Sequence, residues 1–231
     1  MMKCLVADIG QYDYAKALEL QAQLVALRQR EQIPDMLLQV EHNHTYTVGR
    51  RANPSHLLWD EDELKRRGIR FYTVDRGGEM TYHGPGQLIG YPIVKIGGIP
   101  GIRDYLYSLE EVLIRTAADF GIRAERLPGH PGVWFGFEKL AAIGLRVTRG
   151  VTKHGFALNA STDLSYFDGI VPCGMQDKGV TSLSEILGRR QPMAEVKSSI
   201  VKNFGTVFNV DIVPAEKVDL LRMAGAGSIT V

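Results

Sequence analysis

Cys173 stands in the stretch IVPCGMQDKGVTSL, with Pro172 before it and Gly174 after it. Proline and glycine constrain a loop, and a constrained loop presents a side chain for chemistry. The surrounding residues are polar, unlike those around Cys4, which lies in an apolar run and reads as a small buried hydrophobe. A nucleophilic cysteine needs a neighbour that favours its thiolate. His83 and His154 would each make a Cys-His pair of hydrolase type. Lys139 would lower the thiol pKa as a cation and take its proton as a neutral amine. It opens the apolar run KLAAIGLRV, where a lone lysine is most often a solvated strand end. Spacing alone leaves all three partners open.

A second stretch, RGGEMTYHGPGQL from Arg76 to Leu88, holds four glycines and a proline. Gly77 and Gly78 after a strand suggest a phosphate cradle. Neither GxxxxGK[ST] nor GxGxxG occurs here, however, and an apolar strand follows instead of a helix N-terminus. Two explanations remain. One is a pair of tight turns with glycines at positive φ. The other is backbone that comes close to a ligand, with Thr81, Tyr82 and His83 between the turns. Nearby, LAAIG sets Ala142 and Gly144 on one strand face and Ala141 and Ile143 on the other, while HGFAL sets Gly155 and Ala157 together. Such small residues either leave room for a narrow apolar ligand such as an acyl chain or let a helix pack closely. His42 and His44 in EHNH have no second cluster at ligand spacing, so no metal site is expected. With His56 and His130 they read as hydrogen-bonded or surface histidines.

These residues must be held by elements. KCLVADIG, MLLQVEH, TYTVG, IRFYTVD and LIGYPIVKI read as strands. GVWFGFEKLAAIGLRV and GVTKHGFALN read as two more, joined by a turn near Arg149 and Gly150. Helices are expected over YDYAKALELQAQLVALRQRE, with Tyr14, Leu18, Val25 and Leu27 at helical spacing, and over EDELKRRG, RDYLYSLEEVLIRTAADFG and PMAEVKSSIVKNFGTVF. Strands outnumber helices and come in hairpin-like pairs. The order implies an α+β fold (an α/β sandwich) with a mostly antiparallel or mixed sheet flanked by helices, and no βαβ repeat. Residues 1–213 are expected to form one catalytic domain. Residues 214–231 read as a weakly patterned C-terminal extension, partly disordered.

The chain has 231 residues, 27 basic and 26 acidic, with a net charge of +1. That balance offers no general attraction to nucleic acid or an anionic membrane. Two cysteines do not make a disulfide scaffold, and no signal peptide or membrane-spanning run is legible, so a cytoplasmic protein is expected.

RGGEMTYHGPGQLIGYPI, EKLAAIGLRV, HGFALN and IVPCGM...GVTSL occur here in the order found in the octanoyltransferases of lipoate biosynthesis. The chain resembles that family from CLVADIG to the helix after Pro192. The resemblance implies the catalytic domain shared with lipoate and biotin protein ligases. It also implies transfer of an octanoyl group from acyl carrier protein to a lysine of a lipoyl domain, as in 2-oxoacid dehydrogenase complexes and the glycine cleavage H protein, with no cofactor. By motif, Cys173 would carry the thioester and Lys139 would tune it. Arg76, Gly77, Gly78, Glu79, Met80, Thr81, Tyr82 and His83 would line the acyl site, as would Ala142, Ile143 and Gly144, and Gly155, Phe156 and Ala157. Two positions depart from the family: Glu79 stands where aspartate is common, and EHNHTYTVG lacks a proline after EH. The competing possibilities are an ATP-dependent lipoate or biotin ligase, a non-catalytic acyl-binding protein, and a cysteine hydrolase using His83 or His154.

Overall fold

The structure is a computed structural model and describes residues 2–50, 52–98, 101–171 and 178–225. The chain begins with a strand, a helix and a second strand: β1 (Met2–Gln11), α1 (Tyr14–Gln29) and β2 (Asp35–Glu41). β1 and β2 pair in parallel, so a single βαβ unit opens the fold and is not repeated. Asp13 caps α1, accepting a hydrogen bond from the Lys16 N–H at 3.1 Å. The buried stripe of α1 is Tyr14, Ala17, Leu20, Gln21, Leu24 and Val25. Leu18 and Leu27, expected on that face, are only half-buried.

A small sheet follows. β3 (Thr45–Val48) lies between β4 (Arg70–Thr73), which pairs in parallel, and β5 (Met80–His83), which pairs antiparallel, with α2 (Glu61–Arg66) connecting β3 to β4. The MTYH segment between the two glycine turns is therefore a strand. β6 (Gln87–Ile93) returns to the main sheet, and α3 (Ile102–Asp119) crosses it. Next come β7 (Glu125–Leu127), β8 (His130–Phe135), β9 (Glu138–Thr148) and β10 (Val151–Asn159). GVWFGFEKLAAIGLRV is thus a hairpin and not one strand. It turns at Gly136, whose φ of 59° is a left-handed conformation that glycine adopts freely. β11 (Gly179–Val180), α4 (Leu183–Leu187), α5 (Met193–Phe208), β12 (Val210–Pro214) and α6 (Lys217–Met223) complete the described chain.

The main sheet runs β12-β1-β2-β6-β10-β9-β8-β7, with β11 beside β9. It is mixed: β1 pairs in parallel with β2 and β12, whereas β2, β6, β10, β9, β8 and β7 pair antiparallel in turn. Every residue of β6 is buried, because both faces of the sheet are covered. On one face α3 and α5 pack Leu109, Leu113, Ile200 and Phe204 against Leu37, Leu88, Ala141 and Leu158. On the other, α1 packs Leu20, Leu24 and Val25 against Met36, Leu38 and Ile93. Each fully buried leucine contributes roughly 1.5–3 kcal/mol relative to exposure. The C-terminal segment joins this core as well: β12 pairs with β1, and Leu220 of α6 is buried on the α1 face. Among the described residues, no helix is long and apolar enough to cross a membrane.

Candidate active site

On the face of the main sheet that carries α1, the helix packs on β6 and β10, and a cleft lies beside it over β6, β10 and β9. Strand register sets what is exposed there. Ala142 of β9 pairs with Ala157 of β10, which pairs with Ile89 of β6. Gly144 pairs with Gly155, and the β6 residue next to Gly155 on that face is Tyr91. Two rows thus cross the sheet, each small, small, then large. The small sheet and the loop before it roof this patch, placing Arg76 to Thr81 and His83 above it. Tyr14, at the start of α1, closes one side. The result is a narrow cleft.

Close approach of backbone explains Gly144. A Cβ there would lie 2.9 Å from Arg76 Cδ and 3.2 Å from the Gly77 oxygen. Its vacancy is therefore filled by the roof, not reserved for a ligand. The Gly77 N–H also donates to the Leu145 oxygen at 3.1 Å, so the glycine-rich loop runs along the edge of β9 where β8 has ended. The second turn, Gly84 to Gly86, packs elsewhere: the Ala160 and Ser161 N–H groups donate to the Gly86 oxygen.

The polar groups around the cleft are occupied from behind. Arg76 Nη2 donates to the Thr47 oxygen at 2.8 Å and to Thr47 Oγ1 at 2.9 Å, and Nη1 donates to the Gly77 oxygen at 3.0 Å. Gln87 Nε2 donates to the Tyr82 oxygen and to Asn159 Oδ1, which leaves Gln87 Oε1 to accept from His83 Nδ1 at 2.9 Å. Burial, then the nearby His42, drive the His83 pKa down to about 3, so its ring is neutral and stacks on Tyr14 at 5.8 Å. His154 takes a left-handed φ of 62°, a conformation that costs a non-glycine residue roughly 1–2 kcal/mol. Its N–H donates to Gln21 Oε1 at 2.9 Å, and its Nε2 meets Asp75 Oδ1 at 2.7 Å. Burial lowers the His154 pKa to about 4, although Asp75 opposes this. Among the described residues, the buried side-chain nitrogen and oxygen atoms without a partner are Gln21 Nε2 and Tyr105 Oη, and neither residue lines the cleft. What faces inward is ring surface and aliphatic stem, suited to an apolar ligand.

Lys139 reaches this site through a β-bulge. Val133 pairs with Ala141 but the next residue, Trp134, pairs with Lys139, so Leu140 is an extra residue in β9. Leu140 and Ala141 both enter the core beneath α3 and α5. Strict alternation would send Lys139 there with Ala141. The extra residue turns it to the cleft side, where it borders a hollow with Thr81, Gln87, Ala142, Ala157 and Asn159. It also borders an outer groove shared with Gly77, Gly78, Ile143 and Gly144. Lys139 is 6% exposed, not a solvated strand end, and its ammonium sits 4.6 Å from the centre of the Trp134 ring. Val180 pairs with Lys139, and Asn159 Nδ2 donates to the Thr181 oxygen at 2.9 Å. Cys173 lies outside the described residues. Before it, the Val171 N–H donates to the His56 oxygen at 2.8 Å, and His56 Nδ1 meets Glu79 Oε2 at 2.5 Å.

The residues expected at the acyl site gather in one cleft, with one exception. Tyr82 alternates to the opposite face of β5, where it packs with Tyr46 and Phe167 and meets His44 Nδ1 at 2.8 Å. Tyr14, Ile89 and Tyr91 line the cleft and were not anticipated. Nothing in a local motif marks them, because α1 and β6 arrive through the sheet register. His154 lines the cleft as well, but as a neutral ring bound to Asp75 and not beside Lys139. His42 is hydrogen-bonded to Tyr91 and Tyr12, and His44 to Tyr82, so EHNH splits between two aromatic clusters.

Comparison with known proteins follows the same lines. Residues 13–205 match the family model of the lipoyl protein ligase A/B catalytic domain. An octanoyltransferase of Solibacter usitatus is 46% identical over 215 residues, covering 93% of this chain and 97% of the relative. An octanoyltransferase of Alkaliphilus metalliredigens is 46% identical over 210 residues, covering 90% and 96%. Among solved structures, lipoate-protein ligase A bound with ATP superposes with a TM-score of 0.78 over 98% of this chain and 94% of the other, at 15% identity, a likeness of fold. The chain belongs to the lipoyl protein ligase A/B catalytic-domain family and, within it, to the octanoyltransferases.

Proposed function

We propose that this protein moves an octanoyl group from acyl carrier protein to the ε-amine of a lysine in lipoyl domains, those of 2-oxoacid dehydrogenase complexes and of the glycine cleavage H protein. The acyl group travels on Cys173. The observation that carries the reading is the bulge that delivers a buried lysine to the mouth of a cleft with an apolar lining.

The chemistry proceeds in two steps. The Cys173 thiolate attacks the donor thioester carbonyl, a new C–S bond forms, and the carrier's thiol leaves. Lys139, as a neutral amine, accepts the cysteine proton and returns it to the departing thiolate. The acceptor lysine, as a free amine, then attacks the acyl-enzyme. An amide forms, the Cys173 sulfur leaves, and Lys139 relays the proton lost by the incoming amine. The acyl tail lies across Ala142, Ala157 and Gly155 beneath the glycine-rich loop. His56 and Glu79 tie that loop to the chain that enters the cysteine segment.

The test is mass spectrometry after exposure to octanoyl-acyl carrier protein without ATP. A mass gain of one octanoyl group on Cys173, lost in Cys173→Ser and discharged by a lipoyl domain, is expected. Full transfer by Cys173→Ser, or transfer that requires ATP, would overturn the assignment.

A further inference from the structure

We propose that Tyr91, with Ile89 beside it, is the end wall that limits how long an acyl chain the cleft accepts. This rests on the acyl reading of the cleft and names the residue that sets its specificity.

The floor carries the argument. From the edge of β9 inward, the open row reads Ala142, Ala157, Ile89, and Tyr91 lines the same cleft beside Ile89. The row changes from small to large at β6, because at the neighbouring Gly144 and Gly155 the space of a Cβ is already filled by Arg76 and by β6 itself. The large side chains stand two interstrand spacings from β9, about 10 Å, a length that suits a medium acyl chain and not a long one. The outer groove shares Gly77, Gly78, Ile143 and Gly144 with the cleft, so the open side lies at β9. The wall therefore stands at the end opposite the mouth and Lys139.

The wall is also fixed in place. Tyr91 is 4% exposed. Its hydroxyl lies 2.7 Å from His42 Nε2, and His42 Nδ1 lies 2.6 Å from the Tyr12 oxygen. A carbonyl can only accept, so Nδ1 carries the proton and Nε2 accepts from the Tyr91 hydroxyl. Tyr14 packs edge-on against His42 at 5.0 Å. Swinging the Tyr91 ring aside would leave both the hydroxyl and Nε2 buried without partners.

The experiment measures transfer of octanoyl, decanoyl and dodecanoyl groups from acyl carrier protein, as kcat/KM ratios within each variant. Tyr91→Leu is expected to raise the dodecanoyl-to-octanoyl ratio at least tenfold, while Tyr91→Phe, which keeps the ring, retains the wild-type ratio. Ile89→Ala gives the same direction through the neighbouring row should Tyr91→Leu not fold. Calorimetric binding of octanoate, decanoate and dodecanoate reads the wall independently of transfer. An unchanged length preference in Tyr91→Leu and Ile89→Ala overturns the wall. Absence of transfer by the wild type at every length, with length-selective binding retained, overturns the transfer reading alone.

Discussion

Lys139 is a buried amine whose position is stabilised by contact with one aromatic face. Its ammonium lies 4.6 Å from the Trp134 ring centre, and Trp134 is itself fully buried, its Nε1 donating to the His130 oxygen at 3.0 Å. A cation inside a protein costs desolvation free energy, and such a cost is tolerated where the charge has a task. Lys139→Met preserves the stem and removes the nitrogen. Octanoyl transfer is expected to fall by about 100-fold or more, the usual worth of a positioned proton-transfer group. Comparing the activity loss with the melting temperature separates a catalytic role from a structural one; equal transfer by the variant would remove Lys139 from the mechanism.

The decisive contact between elements is the one between β9 and the glycine-rich loop. Arg76 reaches across Gly144 and binds Thr47 of β3, so one side chain joins the loop, the small sheet and the main sheet. Gly144→Ala puts a methyl 2.9 Å from Arg76 Cδ. Overpacking of this kind costs roughly 1–3 kcal/mol, and urea unfolding should register it. The same change lifts the roof at the mouth of the cleft, so KM for the acyl donor is expected to rise. No change in either quantity would mean that Arg76 relocates freely and that the loop is not held by this contact. The bulge at Leu140 acts at the same scale. It alters no motif, yet it decides which face of β9 carries Lys139.

At the scale of the whole molecule, burial of uncharged imidazoles couples the fold to pH. His83 has its pKa lowered to about 3, and His42 and His154 to about 4, chiefly by burial. In an unfolded chain a histidine titrates near ~6.5. Between those values the unfolded state binds protons that the folded state refuses, so acidification favours unfolding. Stability should therefore fall as pH drops from about 6.5 toward about 4, by roughly 1.4 kcal/mol per pH unit for each histidine. Asp75 and Asp119 act in the same direction at lower pH, because their partners hold both carboxyls below the usual range. Denaturant midpoints at pH 7 and pH 5 measure the effect, and equal midpoints would show that these rings stay solvated.

Much of this protein is determined by local sequence. The small-residue strands and the long amphipathic helices α3 and α5 read correctly because alternation and helical periodicity act over a few residues. Tyr82 misled because the motif was carried over as one block to the acyl site, whereas alternation along β5 carries this ring away from the cleft. The strand β12 and the helix α6 were invisible because a short apolar segment declares itself only against the strand it pairs with. Tertiary structure alone decided the end of the cleft, the neutral histidines behind it and the burial of Lys139. Each depends on register between strands distant in sequence, and one extra residue in a strand reverses the face of everything beyond it.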